Sequence, residues 1–449
     1  MSDLLNIGAS GVRAYQTALA TTSDNIANAS TAGYARRSAT IEEVGRTTSV
    51  QLGQNIKLSG NGSRVSGITR AADDFKSAEV RSTGSDLART AAGVTWLERI
   101  EGALSGNQLS QRLTSFFTAA KGVAADPAAT APRSVMLEDA SALASAFGGT
   151  GRALDAAASD LAAQGSDAAQ RLTDLAAGIS RVNRSLTRTP ANSSTNAELL
   201  DERDRLLEGM SALIDTNVSI DDMGRAIVRT GGVNGPVVAD VADAAFFTFT
   251  AGSTGAVSLV ASIGTNVVAL SPSGGALSGL IDASARIAGA RETLDALATD
   301  FTTAINQFQA DGLNLSGAPG GPLFTIGASP TDIGMAITDP RGIAAAGVGE
   351  GARGNGNMAA LAKLRLDKDW EGQFDETVTD NAALLTARRG VADAQGSIHT
   401  ASIGARDMVT NVDLDEEAVN LIRFQQAYQA SSRVIQVARD ILQTIIDIR

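Results

Sequence analysis

From Asp413 to Arg449 the chain reads DLDEEAVNLIRFQQAYQASSRVIQVARDILQTIIDIR, without one glycine or proline. Leu421, Phe424, Tyr428, Ser431, Ile435, Ala438, Leu442 and Ile445 step by alternating threes and fours, the spacing of one helix face. Beside it runs a second row, Ala427, Val434, Ile441 and Ile448. Asp413 is a natural N-cap, and Glu416 three residues on completes a capping-box pattern. Glu417 adds charge where the helix dipole favours it. A helix over this stretch is roughly 50 Å long at 1.5 Å per residue. Its apolar face is wider than one partner helix covers, which predicts an assembly helix.

The opposite end offers a counterpart. Between Leu4 and Ala29 a second seam carries Leu5, Gly8, Val12, Tyr15, Leu19, Thr22 and Ile26. The assembly face predicted from the two seams is Leu5, Val12, Tyr15, Leu19 and Ile26 with Leu421, Phe424, Tyr428, Ile435, Leu442 and Ile445. An aspartate at Ile435 is expected to leave the monomer intact and stop assembly. In dilute solution 1–35 and 411–449 are expected to be little more than nascent helix, because isolated helices are marginal in water.

The middle is mostly helical. Leu87, Ala91, Val94, Leu97 and Leu104 share a face flanked by Trp96, and Leu109, Leu113, Phe116, Ala120 and Val123 share another that stops at Asp126-Pro127. The cleanest inner seam runs from Leu154 through Leu161, Leu172 and Ile179 to Leu186, and Leu280, Ile287, Leu294, Phe301 and Phe308 fall at strict sevens. Two regions read as β. Residues 38–70 alternate around a Gly-Asn-Gly turn at 60–62, a short hairpin. Between Val218 and Leu270 the runs AIVR, PVVA, FFTFT, AVSLV and NVVAL are separated by glycine turns. The expected fold is mainly α with a small inserted β domain. It divides into paired terminal helices (1–35 with 411–449), a discontinuous helical bundle (36–217 with 272–410) and the β insert (218–271). Few features bind that insert to the helical seams, so its replacement by a linker is expected to be tolerated.

Chemistry is poorly supported. The chain has no cysteine and one histidine, His399, read as a surface residue. Asp73-Asp74 and Asp221-Asp222 are adjacent pairs that cap turns or meet solvent, since neighbours rarely aim at one point. Asp311, Asn314 and Ser316 lack the glycine and glutamate positions of a calcium loop. No catalytic, metal or cofactor residues are assigned, and no cofactor is expected. Lys and Arg number 37 against 49 Asp and Glu, a net charge of −12, which disfavours nucleic acid and anionic membranes. Aromatics are 4 % of residues, which predicts Ala-, Leu- and Ile-lined seams rather than an aromatic pocket. There is no membrane span and no cleavable signal in MSDLLNIGASGVRAYQ, which by itself suggests the cytoplasm.

Both ends carry a family resemblance. Asn25, Asn28, Thr31, Gly33 and Tyr34, within NIANASTAGY, resemble the N-terminal signature of the bacterial flagellar axial proteins, the rod, hook and hook-associated group. Asp413 and Glu416 in VDLDEE, with Gln426 and Tyr428 in FQQAYQAS, resemble that group's C-terminal signature. NAELLDERDRLLEGMSALI, ITDPRGIAAAG and GNGNMAALAKL are similar to the hook-associated branch at the first hook–filament junction. So is INQFQADGLNLSGAPGGPLF, although Gln309 stands where that branch often has a histidine. The resemblance implies a structural protein, not an enzyme, which self-assembles in ring-like axial fashion. The implied partners are the hook protein, the second junction protein and a small export chaperone, without nucleic acid, membrane or small-molecule substrate. It also implies export through the flagellar type III apparatus without cleavage, replacing the cytoplasmic reading. A hook or rod protein of the same group is the nearest alternative. From another class, an extracellular enzyme or adhesin with its activity in the β insert is the other.

Overall fold

Proline and glycine positions decide where the helices stop. The computed structural model describes residues 2–44, 62–251, 256–351 and 353–447. Helix α1 (Ser2–Asn28) is followed by an antiparallel pair, β1 (Arg37–Glu43) with β2 (Ser63–Arg70), kinked by a bulge at Thr40/Ile41. The predicted hairpin thus has its two strands. Its turn at Gly60-Asn61, like Ile448 of the second C-terminal row, lies outside the described residues. Helices α2 (Asp74–Ser105), α3 (Leu109–Ala125), α4 (Thr130–Leu186) and α5 (Ser194–Leu213) come next. Helix α3 stops before Asp126-Pro127, as the sequence requires. Helix α4 runs 57 residues because Pro132, tolerated in its first turn, is its only proline. It ends one turn before Thr189-Pro190.

The insert forms two antiparallel three-stranded sheets. The first is β3 (Asn217–Ile220), β4 (Ala226–Arg229) and β5 (Val237–Ala239); the second is β6 (Phe246–Ala251), β7 (Val257–Ile263) and β8 (Asn266–Leu270). Helix α6 (Gly275–Asp311) leads to a small ladder, β9 (Phe324–Ile326) with β10 (Ile333–Met335). Helices α7 (Gly356–Lys368), α8 (Trp370–Thr410) and α9 (Leu414–Asp447) complete the chain. The fold is mainly α with β sheets inserted between long helices.

The seams predicted for α3, α4 and α6 are buried, with Leu113, Leu154, Leu172 and Ile179 fully so. Helix α2 differs, since Ala91 is exposed while Trp96, Ile100 and Ala103 are buried in its place. The expectation of aromatic-poor seams also fails locally, because the few aromatics concentrate. The ring of Phe301 lies 5.2–6.4 Å from those of Phe116, Phe117, Phe147, Phe324 and Trp370. Trp370 Nε1 donates to Asp300 Oδ2 at 2.8 Å, satisfying the indole's one polar atom.

The expected independence of the insert is not met. Val228, Phe247, Phe249, Leu259 and Ala261 are buried in the same apolar cluster as α4. The Phe249 ring sits so close to Gly165 that a Cβ there would approach it to 2.2 Å. Asn183 clamps β4 from α4, donating to the Ala226 carbonyl at 2.8 Å and accepting from its N–H at 2.9 Å. Deleting the insert would strip an apolar face from α4.

Candidate assembly interface

Helices α1 and α9 lie against each other along their length. The buried side of α1 matches the predicted seam only at Gly8 and Thr22. It carries Gly8, Gly11, Ala14, Ala18, Thr21, Thr22 and Asn25. Leu5, Val12, Tyr15 and Leu19 are only half-buried beside it, and Ile26 is exposed. Small residues let the backbones approach. A Cβ at Gly8 would come within 2.7 Å of Ile435 Cγ1, and one at Gly11 within 2.7 Å of Ser431 Oγ. Apolar periodicity favours large side chains and therefore pointed to the flank of this seam. On α9, Ala438 is buried and Leu421, Phe424, Ser431 and Ile435 are half-buried. Ile435 thus faces α1 of its own chain. Tyr428, Leu442 and Ile445 are exposed, as are Val434 and Ile441 of the second row.

The base of this pair is fixed by polar contacts on which the signature residues converge. Asn28 and Thr31 shape the turn after α1, with the Thr31 N–H donating to the Asn28 carbonyl at 2.9 Å. Gly33 takes φ +75°, which favours glycine. Asn25 is fully buried and mimics a strand neighbour. Its Nδ2 donates to the Arg37 carbonyl at 2.8 Å, and its Oδ1 accepts from the Arg37 N–H at 3.0 Å. Tyr34 also donates its hydroxyl to Oδ1 at 2.8 Å. Burial pushes the Tyr34 hydroxyl up to about 12, against the opposing pull of Arg37.

The two ends meet at Arg36. Its N–H donates to the Thr410 carbonyl at 2.8 Å, and its guanidinium reaches Glu417 at 2.7 Å and Glu416 at 2.9 Å. Hydrogen bonding to Glu417 holds Arg36 more firmly protonated than usual. Two sequence readings change here. Asp413 does cap α9, accepting from the Asp415 and Glu416 N–H groups at 2.9 and 3.2 Å. Glu416, however, turns to Arg36 instead of closing a capping box. Glu417 is only 2 % exposed and serves an ion pair rather than the helix dipole. Gln426 is exposed.

Helix α5 supplies the other half of this lock. Asp201 accepts from Arg37 at 2.8 Å and from Arg70 at 2.5 Å, and Asp204 accepts from Arg70 and Arg203, each at 2.7 Å. Burial raises the Asp204 carboxyl, but Arg203 and Arg70 outweigh it and hold it below the ordinary carboxylate range. Arg406 of α8 pairs with Glu208 of α5 at 2.6 Å. Sequence reading singled out none of these arginines or aspartates. Their one signal was charge at i and i+3 inside the leucine-flanked string LLDERDRLL.

The remaining candidates are structural. Asp73 caps α2, and Asp221 accepts from the Met223 and Arg225 N–H groups in the β3–β4 turn. Asn314 Oδ1 accepts from the Ser316 and Ala318 N–H groups. His399 is half-buried rather than on the surface, its Nδ1 3.0 Å from Thr83 Oγ1 between α8 and α2. Gln309 is buried, its Oε1 accepting from the Ala344 N–H at 2.8 Å. Among the described residues no helix is long and apolar enough to cross a membrane, and no three His, Asp or Glu side chains group as metal ligands.

Comparison with known proteins meets this geometry at the same three places. The profile of the flagellar hook-associated protein FlgK helical domain matches residues 95–324, half of the chain. The chain belongs to the FlgK family. It is a structural protein of the bacterial flagellum, at the junction of hook and filament. Profiles of the flagella basal body rod protein and of the flagellar basal body rod FlgEFG protein C-terminal region match residues 5–34 and 409–448, the two sides of the α1–α9 pair. Flagellar hook-associated protein 1 of Bacillus subtilis is 25 % identical over 97 % of this chain and 96 % of its own length. The Escherichia coli protein of that name is 23 % identical over the full length of both chains. The Salmonella typhimurium one is 30 % identical over 50 % of this chain and 40 % of its own length. The solved FlgK hook junction protein of Burkholderia pseudomallei shares the fold with a TM-score of 0.50 at 22 % identity, over 56 % of this chain and 47 % of that one. Within the FlgK family, then, the body match ends on β9, and the rod-type matches coincide with the helices tied together through Arg36.

Proposed function

We propose that this chain closes into a ring-like axial assembly through α1 and α9, seated on hook protein and capped by the second junction protein. The reading is carried by one observation: α9 is fixed at its base by the ion pair of half-buried Arg36 with buried Glu417, while its outer side shows Val434, Val437, Ile441 and Ile445 to solvent. These step by three, four and four, so they line one face. Covering such a face stabilises at about 25 cal/mol per Å² of apolar area. Neighbouring subunits supply the cover, and the half-buried Leu5, Val12, Tyr15, Leu19, Leu421 and Phe424 form the flanks that meet them. In this reading the terminal pair is the inner tube, and the body with the insert packed on it lies outside. The work is mechanical, without catalysis. The chain leaves the cell through the flagellar export apparatus without cleavage, and a small chaperone covers the α9 face beforehand, since an exposed apolar helix face is an aggregation hazard.

Electron microscopy of cells deleted for this chain tests the reading. Hooks without filaments, and flagellin shed to the medium, are the expected result, reversed by the wild-type chain and not by Ile441→Asp. Filaments on deleted cells would overturn it. Recovery of the chaperone by residues 410–449, and its loss from a chain ending at Thr410, test the export step.

A further inference from the structure

The two most exposed large apolar side chains fall at one end of the helical body. Phe75 is 90 % exposed and Met408 89 %, in the first turn of α2 and the last turn of α8. These helices run antiparallel, with Thr83 against His399 and Asn381 Nδ2 donating to the Leu97 carbonyl. Phe75 and Met408 therefore mark one end of the body. The start of α8 marks the other, about 57 Å away at 1.5 Å per residue. There Trp370 stacks on Phe117 at 5.8 Å, and Phe117 lines an open apolar pocket of about 280 Å³ between α3 and α7. Ala120, Met358 and Leu361 form its walls, Lys121 and Arg365 its rim. Leu366, 80 % exposed, stands beside it.

We propose that Phe75 of one copy seats in this pocket of the next copy, a head-to-tail contact outside the terminal helices. It rests on the ring-like assembly proposed above and adds a body-to-body contact to it. Size allows it, since an apolar cavity of about 150 Å³ already accepts benzene. Charge selects it. Exposed Asp74 adjoins Phe75, and Lys121 rims the pocket while Arg365 beside it is already paired with Glu371, so a like copy brings a carboxylate to one lysine. A knob and a hole at opposite ends give a heterologous contact, the kind that closes rings or propagates helically, not a two-fold dimer.

The chain has no cysteine, so Phe75→Cys with Ala362→Cys, on the pocket wall, gives an unambiguous crosslink in full-length protein assembled on cells. Mild oxidation should yield dimers and higher multiples of this chain from the double variant and from neither single variant. A double variant that attaches filaments yet stays monomeric on oxidation overturns the proposal and leaves the junction reading standing. So does a crosslink to a chain of another mass. If wild-type chain does not restore filaments to deleted cells, the junction reading itself has failed. Charge reversal gives an independent measure should the cysteine pair disturb folding. Asp74→Lys should cut attached filaments at least tenfold, and Lys121→Asp in the same chain should recover most of them. Loss without recovery counts against the contact.

Discussion

The aromatic centre of the body and the α1–α9 seam solve opposite problems. Around Phe301 of α6, five rings from α3, α4, β9 and α8 close in, and the Phe301 ring finds its partners within the chain. Along the seam, α1 meets α9 closely at Gly8 and Gly11, and its other buried positions include the small Ala14 and Ala18, which bury little area apiece. Large side chains such as Val434, Ile441 and Ile445 stay outside. The body is thus built to be stable alone. The terminal pair is held by its polar base and leaves its larger apolar side chains exposed.

The widest gap between these regions should appear on truncating the body. Phe301→Ala removes a fully buried ring that five others touch, so it should cost about 3–5 kcal/mol. Circular dichroism melts of the purified chain read this as the largest single loss. A change below about 1 kcal/mol would mean that the ring cluster is not the body's centre. Next comes the lock. Asp201→Ala leaves Arg37 and Arg70 buried without that carboxylate and should cost about 3 kcal/mol, as broken buried pairs do. Limited proteolysis should then cut between α1 and α2 before the body melts. Simultaneous loss of both would show that lock and body are one unit.

Acid should weaken the lock with a calculable sign. The Asp204 carboxyl is held below its ordinary range when folded, so the unfolded chain takes up its proton first as pH falls. Its contribution is complete above about pH 4, the ordinary carboxylate value, and fades below that as pH falls through the folded value. The melting temperature should therefore drop below about pH 4, and Asp204→Asn should flatten the drop while lowering stability at neutral pH. An unchanged slope in that variant would remove Asp204 from the lock.

What the sequence could reveal follows the same division. Helices that bury large residues at heptad spacing were legible, as in α4 from Leu154 to Leu186 and α6 from Leu280 to Phe308. So were the insert strands, where glycine turns bracket short β-branched runs. The face of α1 was legible only at Gly8 and Thr22, because glycine and alanine carry no apolar signal and the larger Leu5, Val12 and Leu19 mark its flank. Nor was the lock, since Arg36 and Glu417 are brought together only by the fold, as are Arg37 and Asp201. The insert looked separable because Phe249 gives no sign in sequence that its ring rests on Gly165.

The smallest effect on stability should accompany the largest effect on assembly. A carboxylate at Ile435, the substitution suggested by the sequence alone, would strike the chain's own α1 at Gly8 and confuse the two readouts. Ile441 lies two turns nearer the C-terminus and is 40 % exposed. Ile441→Asp should change the monomer's melting by no more than about 0.5 kcal/mol, as surface substitutions do. Amide exchange across 414–447 should be fast in both wild type and variant, since so narrow a seam leaves most of α9 open to fraying. In the assembled ring the same aspartate would lie buried without a partner, at a cost of several kcal/mol. Cells carrying it should export the chain in normal amounts and bear hooks without filaments. Wild-type numbers of filaments would show that the exposed row on α9 is not an interface. A variant that melts well below the wild type, with exchange at 414–447 already slow in the wild-type monomer, would show that the terminal pair belongs to the body's own core, and the contrast between the two regions would collapse.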